Sequence, residues 1–136
     1  MYNIDILPQK QLIDIRMSGF FSVADAKRFC EDEQRAVAQM GALAGNHLVL
    51  VDVTAMKIQS QEVVYSFQEL IDNAPRKARR IALVVGKSLS MMQARRLDND
   101  AGRLGLFDYR SDAMDWLLER PSHPPMPAHQ SASPFF

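Results

Sequence analysis

The residues with the types and spacing to do chemistry stand at the ends of apolar runs. Gly86-Lys87-Ser88 follows Ile81-Ala82-Leu83-Val84-Val85 and precedes a helical pattern, the outline of a phosphate-binding loop. Such a loop needs a second glycine five positions before Gly86, so that enough backbone N–H groups are free to cradle a phosphate. Ile81 stands there, and the segment reads as an ordinary strand-to-helix turn. Asp52 and Lys87, each closing an apolar run, match two parts of a phosphoreceiver site. That site also needs a pair of acids after the first strand to hold magnesium, and Leu7-Pro8-Gln9 offers none. Asp52 is therefore expected to accept hydrogen bonds from N–H groups of its own loop. His47, His123 and His129 form no plausible metal set, and no Ser–His–Asp arrangement can be built from them. The single cysteine, Cys30, falls on the apolar side of a helical pattern as a small buried hydrophobe. No metal, cofactor or catalytic group is expected, and this thin inventory favours binding over catalysis.

Local charge is more informative. Arg76, Lys77, Arg79 and Arg80 precede the run at Ile81, and Lys87, Arg95, Arg96 and Arg103 follow it, while Glu31, Asp32 and Glu33 make an earlier helix acidic. The basic half reads equally as a solvated face or as part of a ligand site. In the second reading, Leu89, Met91 and Met92 open a helix that carries Arg95 and Arg96 within a turn. Adjacent Met91 and Met92 cannot point the same way, so one can serve the core while the other meets an acyl chain or another apolar body. Arginine beside it can hold a phosphate or carboxylate by paired hydrogen bonds. Met56 and Ile58, after Asp52, would supply the opposite apolar wall. The expected site thus lies between the Thr54 to Ser60 loop and the Ser88 to Arg96 segment, at carboxyl ends of strands, where open α/β sheets bind ligands.

The elements that must position these residues follow from periodicity. Ile4 and Ile6, then Leu12 to Met17, alternate as two short strands around a turn at Pro8 to Gln11. Ser22 caps a helix, with Asp25 in the capping-box position. Its apolar stripe is Val23, Ala26, Phe29, Cys30, Val37 and Met40, and Gly41 and Gly45 mark its end. His47 to Asp52 is a buried, parallel-type strand. A second helix runs from about Ser60, with Val63, Phe67, Leu70, Ile71 and Ala74 on one face, and stops at Pro75. Ile81 to Gly86 is another buried strand, and Ser90 to Leu104 a third helix ended by Gly105. Leu106 to Tyr109 is a short strand, and Ser111 caps a last helix containing Trp116 and Leu117. The order β-β-α-β-α-β-α-β-α predicts a mixed, mostly parallel sheet of about five strands with four helices. Strands in chain order would place most helices on one face. The other face would then need cover, which predicts a homodimer.

A length of 136 residues suits one domain with its own core. Residues 1–119 carry the pattern, and the Pro- and Ser-rich 120–136 reads as a disordered tail. The formal net charge is zero, which argues against nucleic acid as a partner. One cysteine and an N-terminus without the marks of a signal peptide predict a cytoplasmic protein, with peripheral contact to the inner membrane face left open.

Several segments in order carry a family resemblance: Leu48-Val49-Leu50-Val51-Asp52-Val53-Thr54, Ile81 to Gly86, Met92-Gln93-Ala94-Arg95-Arg96, and Gly105-Leu106-Phe107 leading to Ala113-Met114-Asp115-Trp116-Leu117. Together they resemble the STAS fold of the anti-sigma-factor antagonists, and more closely the SpoIIAA-like family of small bacterial proteins. The resemblance implies an α/β domain without enzymatic activity. It implies a partner-binding surface at the loop after the third strand, where a phosphorylated serine opens the next helix. Ser60 is the nearest equivalent, although Ile58-Gln59-Ser60-Gln61-Glu62 stands in place of the regulators' Asp-Ser-Ser-Gly. A further likeness between that family and the lipid-binding Sec14 fold implies a small nonpolar or amphipathic ligand. The first expectation is therefore a binding module using Thr54, Met56, Ile58, Met91 and Met92 as contacts and Arg95 and Arg96 as head-group ligands. The alternative is a regulatory protein-interaction domain with Ser60 or Thr54 as phosphoacceptor.

Overall fold

The structure, a computed structural model, describes residues 1–86 and 103–120. Chain order is β1 (Tyr2–Leu7), β2 (Leu12–Gly19), α1 (Val23–Gln39), β3 (Leu48–Met56), α2 (Gln61–Asn73), β4 (Arg80–Val84), β5 (Leu104–Phe107) and α3 (Arg110–Leu117). The helix expected over Ser90 to Leu104 and the tail from 121 fall outside the described residues, apart from positions 103 and 104.

The first two strands form an antiparallel hairpin. A 3-10 turn at Pro8–Lys10 reverses the chain, and Gln11 closes it in the left-handed region at φ 54°. The remaining pairs are parallel, and the five strands lie in chain order. Strand alternation then sorts side chains onto two faces. Ile13 and Ile15 of β2, Val49 and Val53 of β3 and Leu83 of β4 point to one face. Leu12, Leu48, Leu50, Ala82 and Val84 point to the other.

Successive parallel crossovers of one hand put α1 and α2 on the first face. The Ser22 hydroxyl accepts from Asp25 N–H at 3.0 Å, and the Asp25 carboxylate accepts from Ser22 N–H at 3.0 Å, which completes the expected capping box. Ser60 caps α2 through Val63 N–H at 3.2 Å. Four rings join this core: Tyr2 and Phe29 meet edge to face at 5.2 Å between centroids, and Phe67 meets both Phe21 and Phe29 at 5.9 Å. Val23, expected on the buried stripe, is half exposed at the first helical position.

The second face is covered from within the chain. Ala113 and Leu117 of α3 are fully buried against Leu12, Leu48, Leu50, Ala82 and Val84. The bare face that predicted a homodimer is therefore covered, and that ground for a second copy is gone.

Two boundaries differ from the sequence reading. Leu104 and Gly105 open β5 instead of ending a helix, with Gly105 opposite Ala82. The physical reason is steric: a Cβ on Gly105 would lie 2.9 Å from the Phe107 ring and 3.2 Å from Trp116. The glycine makes room for two rings whose centroids are 5.3 Å apart. The last helix begins at Arg110 with Tyr109 as its N-cap and no side-chain cap bond, so Ser111 lies inside it. Part of the expected basic surface also serves this face. Arg80 lies 4.7 Å from the Trp116 ring centre and donates to the Trp116 carbonyl at 2.7 Å, while Arg79 pairs with Glu119 at 2.9 Å.

Candidate functional site

Helix α2 carries an apolar stripe at helical spacing, yet Val63 is its only fully buried residue. Phe67, Leu70, Ile71 and Ala74 are half-buried, because a cavity of about 140 Å³ lies between them and the sheet. Its floor is Ile15 and Met17 of β2, Val49, Val51 and Val53 of β3, and Ile81 and Leu83 of β4. Phe29 of α1 forms a side wall. That volume approaches the roughly 150 Å³ of an apolar cavity that stays dry and binds benzene.

The polar lining is unevenly placed. Met56 closes β3, and Lys57 and Gln59 stand beyond its carboxyl end. His47 immediately precedes β3, Arg76 and Lys77 precede β4, Arg103 precedes β5, and Glu33 lies in the second half of α1. Most polar groups are thus at the amino ends of the parallel strands, the opposite end from the one open α/β sheets ordinarily use. His47 is 1% exposed and Glu33 9%. Gly45 N–H donates to His47 Nδ1 at 3.1 Å. Burial lowers the His47 pKa, which keeps the ring neutral. Burial also pushes the Glu33 carboxyl up to about 7.

The carboxyl-end loop forms a separate surface. Gln59, 7% exposed, accepts from Phe21 N–H at 2.8 Å and donates to the carbonyls of Gly19 at 2.8 Å and Lys57 at 2.6 Å. Lys57 N–H donates to Gly19 O at 3.1 Å. The two loops so tied expose Phe20 and Ile58, which are 67% and 50% accessible.

Among the residues expected at the site, Met56 is buried and lines the cavity. Ile58, Thr54 and Ser60 are exposed on the carboxyl-end surface. Met91, Met92, Arg95 and Arg96 fall outside the described residues. Asp52 does accept from its loop: Thr54 N–H and Oγ donate to it at 3.0 and 2.7 Å. It also meets Arg110 at 3.4 Å, and Arg110 donates to Asp14 at 2.7 Å. Burial pushes the Asp52 carboxyl up, but the Thr54 bonds and Arg110 outweigh it and hold the pKa below its ordinary value. Burial and the charges of Glu33, Glu31 and Glu69 push the Cys30 thiol up to about 11, where it is a poor nucleophile.

The sequence reading missed Glu33 and His47 as lining residues. A signal for Glu33 was present: it stands four residues after Phe29 and four before Val37, in the gap of the apolar stripe. No helix among the described residues is long and apolar enough to cross a membrane, and no group of metal-ligating side chains occurs among them.

The described residues form a mixed five-stranded sheet in chain order, with two helices on one face and one on the other, and the fold matches the SpoIIAA-like fold. The chain is similar to an uncharacterized DUF3478-family protein from Shewanella loihica PV-4, described as having that fold. Identity is 21%, the TM-score is 0.66, and the match covers 85% of this chain and 93% of the other. It is also similar to the anti-sigma factor antagonist SpoIIAA in its unphosphorylated form. There the identity is 10%, the TM-score 0.53, and the coverage 85% and 95%. No protein-family model and no curated protein matches the chain.

Proposed function

We propose that the chain is a non-catalytic binding module that takes a small nonpolar or amphipathic ligand in the cavity beneath α2. The observation that carries this reading is the half-buried apolar stripe of α2 standing over an apolar sheet face. A helix ordinarily buries such a stripe, and leaving it unpacked forgoes dispersion contacts that a ligand would restore. The cavity has the concave, mostly apolar form of small-molecule sites, with a few polar groups to fix orientation. Its size suits a one-ring or short-chain body. Native mass spectrometry of the purified protein, followed by organic extraction, tests the reading. A co-purifying molecule that is lost in Ala74→Leu, which grows into the cavity, supports it. Identical apo spectra for both proteins, with no apolar probe bound, reject it. The same assay on Met92→Asp/Arg95→Glu tests the proposal that Met91, Met92, Arg95 and Arg96 contribute contacts and head-group ligands.

The exposed pair Phe20 and Ile58 favours a second reading, a regulatory protein contact at the carboxyl-end surface. SpoIIAA is an anti-sigma factor antagonist, and the likeness of fold motivates the same kind of role here. Ser60 would be the phosphoacceptor. A phosphate there would sit at the amino end of α2, where negative charge is favoured. A partner recovered by wild type and not by Ile58→Asp supports this reading, and equal recovery by both rejects it.

A further inference from the structure

The outer edge of the sheet carries backbone groups without partners. Strand β1 ends the sheet, and among the described residues no strand pairs with its outer side. Met1 N donates to Ser18 O at 2.9 Å and Ser18 N–H to Met1 O at 2.8 Å, which makes Met1 and Ser18 a hydrogen-bonded pair. Antiparallel pairs alternate along a ladder. Asn3, Asp5 and Leu7 therefore bond to β2, while Tyr2, Ile4 and Ile6 turn their N–H and C=O groups outward. Natural edges are blunted by lysine, proline, a bulge or a covering element. The run Tyr2-Asn3-Ile4-Asp5-Ile6-Leu7 holds neither lysine nor proline, and its register with β2 is unbroken.

A groove of about 370 Å³ lies beside this edge, between Tyr2, Ile4 and Ile6 and the flank of α1 that carries Asp32, Arg35 and Gln39. Asp32 and Arg35 are the only charges among its described lining residues. They pair with each other, and the Tyr2 hydroxyl donates to Asp32. A groove without net charge does not repel a second copy of itself. The strand's own sequence then selects a pairing. Two copies of β1 running antiparallel, with outward groups facing, overlap fully only when the twofold axis passes Ile4. Tyr2 then meets Ile6, and on either side of the axis Asn3 meets Asp5. Moving the axis to Asp5 would set two carboxylates directly opposite, which destabilises a strand pair. Asn3 and Asp5 suit each other: within one chain Asn3 Nδ2 donates to Asp5 at 3.1 Å.

We propose that β1 pairs with β1 of a second copy about a twofold axis at Ile4, joining two sheets edge to edge. The contact is isologous and gives the outward groups of Tyr2, Ile4 and Ile6 partners in both copies. Its ground is the sheet edge, not the second sheet face, which α3 covers. It uses none of the residues that line the cavity beneath α2, so it stands or falls apart from the ligand reading. One short strand and a groove make a small interface of the transient kind, with a Kd between about 1 and 100 µM.

Sedimentation of the full chain from about 1 to 500 µM tests this, together with NMR of a mixture of isotope-labelled and unlabelled protein. The expected result is a reversible dimer in which the Ile4 and Ile6 amides exchange more slowly as concentration rises. An intermolecular Hα–Hα contact should join Asn3 to Asp5, because a non-hydrogen-bonded antiparallel pair brings those atoms together. Asn3 is exposed in the single copy. Asn3→Asp sets like charges opposite each other at two places and should raise Kd by about fivefold or more. Adding Asp5→Asn to that variant restores an amide opposite each carboxylate and should restore the affinity. A monomer throughout overturns the proposal, as does a dimer without the Asn3–Asp5 contact or one indifferent to both variants. Slow exchange of the Ile4 and Ile6 amides in a monomer also overturns it, since some other segment would then occupy the edge.

Discussion

Replacing Glu33 by glutamine should make the protein more stable at neutral and alkaline pH and leave it unchanged in acid. Glu33 is 9% exposed, with no ion pair among the described residues to offset its loss of water, and its pKa rises from an ordinary 4.5 to about 7 because of burial. Below pH 4.5 the group is neutral in both folded and unfolded chains and contributes no difference. Between 4.5 and 7 the folded chain holds a proton that the unfolded chain has lost, so stability falls as pH rises. Above 7 the folded chain must carry a buried charge, and the loss is complete. A displacement of 2.5 pH units at about 1.36 kcal/mol each amounts to about 3 kcal/mol. Glutamine has nearly the same shape and no charge, so it abolishes this term. In urea titrations at pH 4 and pH 8, Glu33→Gln and wild type should agree at the lower pH. At the higher pH the variant should be more stable by about 3 kcal/mol, or roughly 10 °C in melting temperature for a domain of this size. Equal stability of the two proteins at pH 8 would refute the reasoning, because it would mean that Glu33 ionises in the folded state as easily as in water.

Two further outcomes follow from the opposite face. Gly105→Ala should cost about 1–3 kcal/mol by overpacking, since its Cβ would meet the Phe107 and Trp116 rings at 2.9 and 3.2 Å. Thermal melts check this, and a change within 0.3 kcal/mol would show that the two rings yield freely. Arg110→Ala leaves the carboxylates of Asp14 and Asp52, whose side chains are 12% and 16% exposed, without their shared cation, a loss of about 3–5 kcal/mol for a buried pair. The loss should be largest near neutral pH and shrink in acid as Asp52, whose carboxyl the Thr54 bonds and Arg110 hold below its ordinary pKa, takes up a proton, which urea titrations of the variant across pH 3 to 7 would show.

Periodicity is enough to read the first four strands and the first two helices, because each rests on one dominant pattern. The alternation at Leu12 to Met17, the apolar run at Leu48 to Val51 and the Ser22–Asp25 box need no long-range information. Leu104 and Gly105 were misread because a glycine after an apolar helical stripe has the same local signature as a glycine admitting two rings in a strand. Only the tertiary contact with Trp116 separates the two cases. The cover of the second face was missed for a related reason. Ala113 and Leu117 mark one helical face as apolar, but sequence does not say to which side of the sheet the chain returns after its last strand. Met56 stands close after the apolar run at Leu48 to Val51, and the structure puts it at the end of β3, lining the cavity. Glu33 reads with Glu31 and Asp32 as part of an acidic face, although Glu33 is buried in the cavity wall while Glu31 is exposed and Asp32, half-buried, accepts from the Tyr2 hydroxyl. An acid interrupting an apolar stripe carries more information than an acid in a run of acids.

The two proposed uses of this fold lie at opposite ends of one strand. Strand β3 starts at Leu48, just after His47 in the polar end of the cavity, and finishes at Met56, beneath the loop that exposes Ile58 and presents Ser60. Met56 borders both regions: it lines the cavity, and its backbone pairs with Gly19, whose carbonyl accepts from Gln59 and Lys57. A body filling the cavity would press on Met56 and on Val64 in the first turns of α2, and so on the base of the exposed surface. Ligand and partner binding need not compete for the same atoms, and coupling between them would run through one side chain and one helix start. A ligand influences a partner only as far as it binds the two arrangements of that loop differently. Met56→Leu keeps the volume and stiffens the contact, so it should alter any such coupling more than it alters either affinity alone.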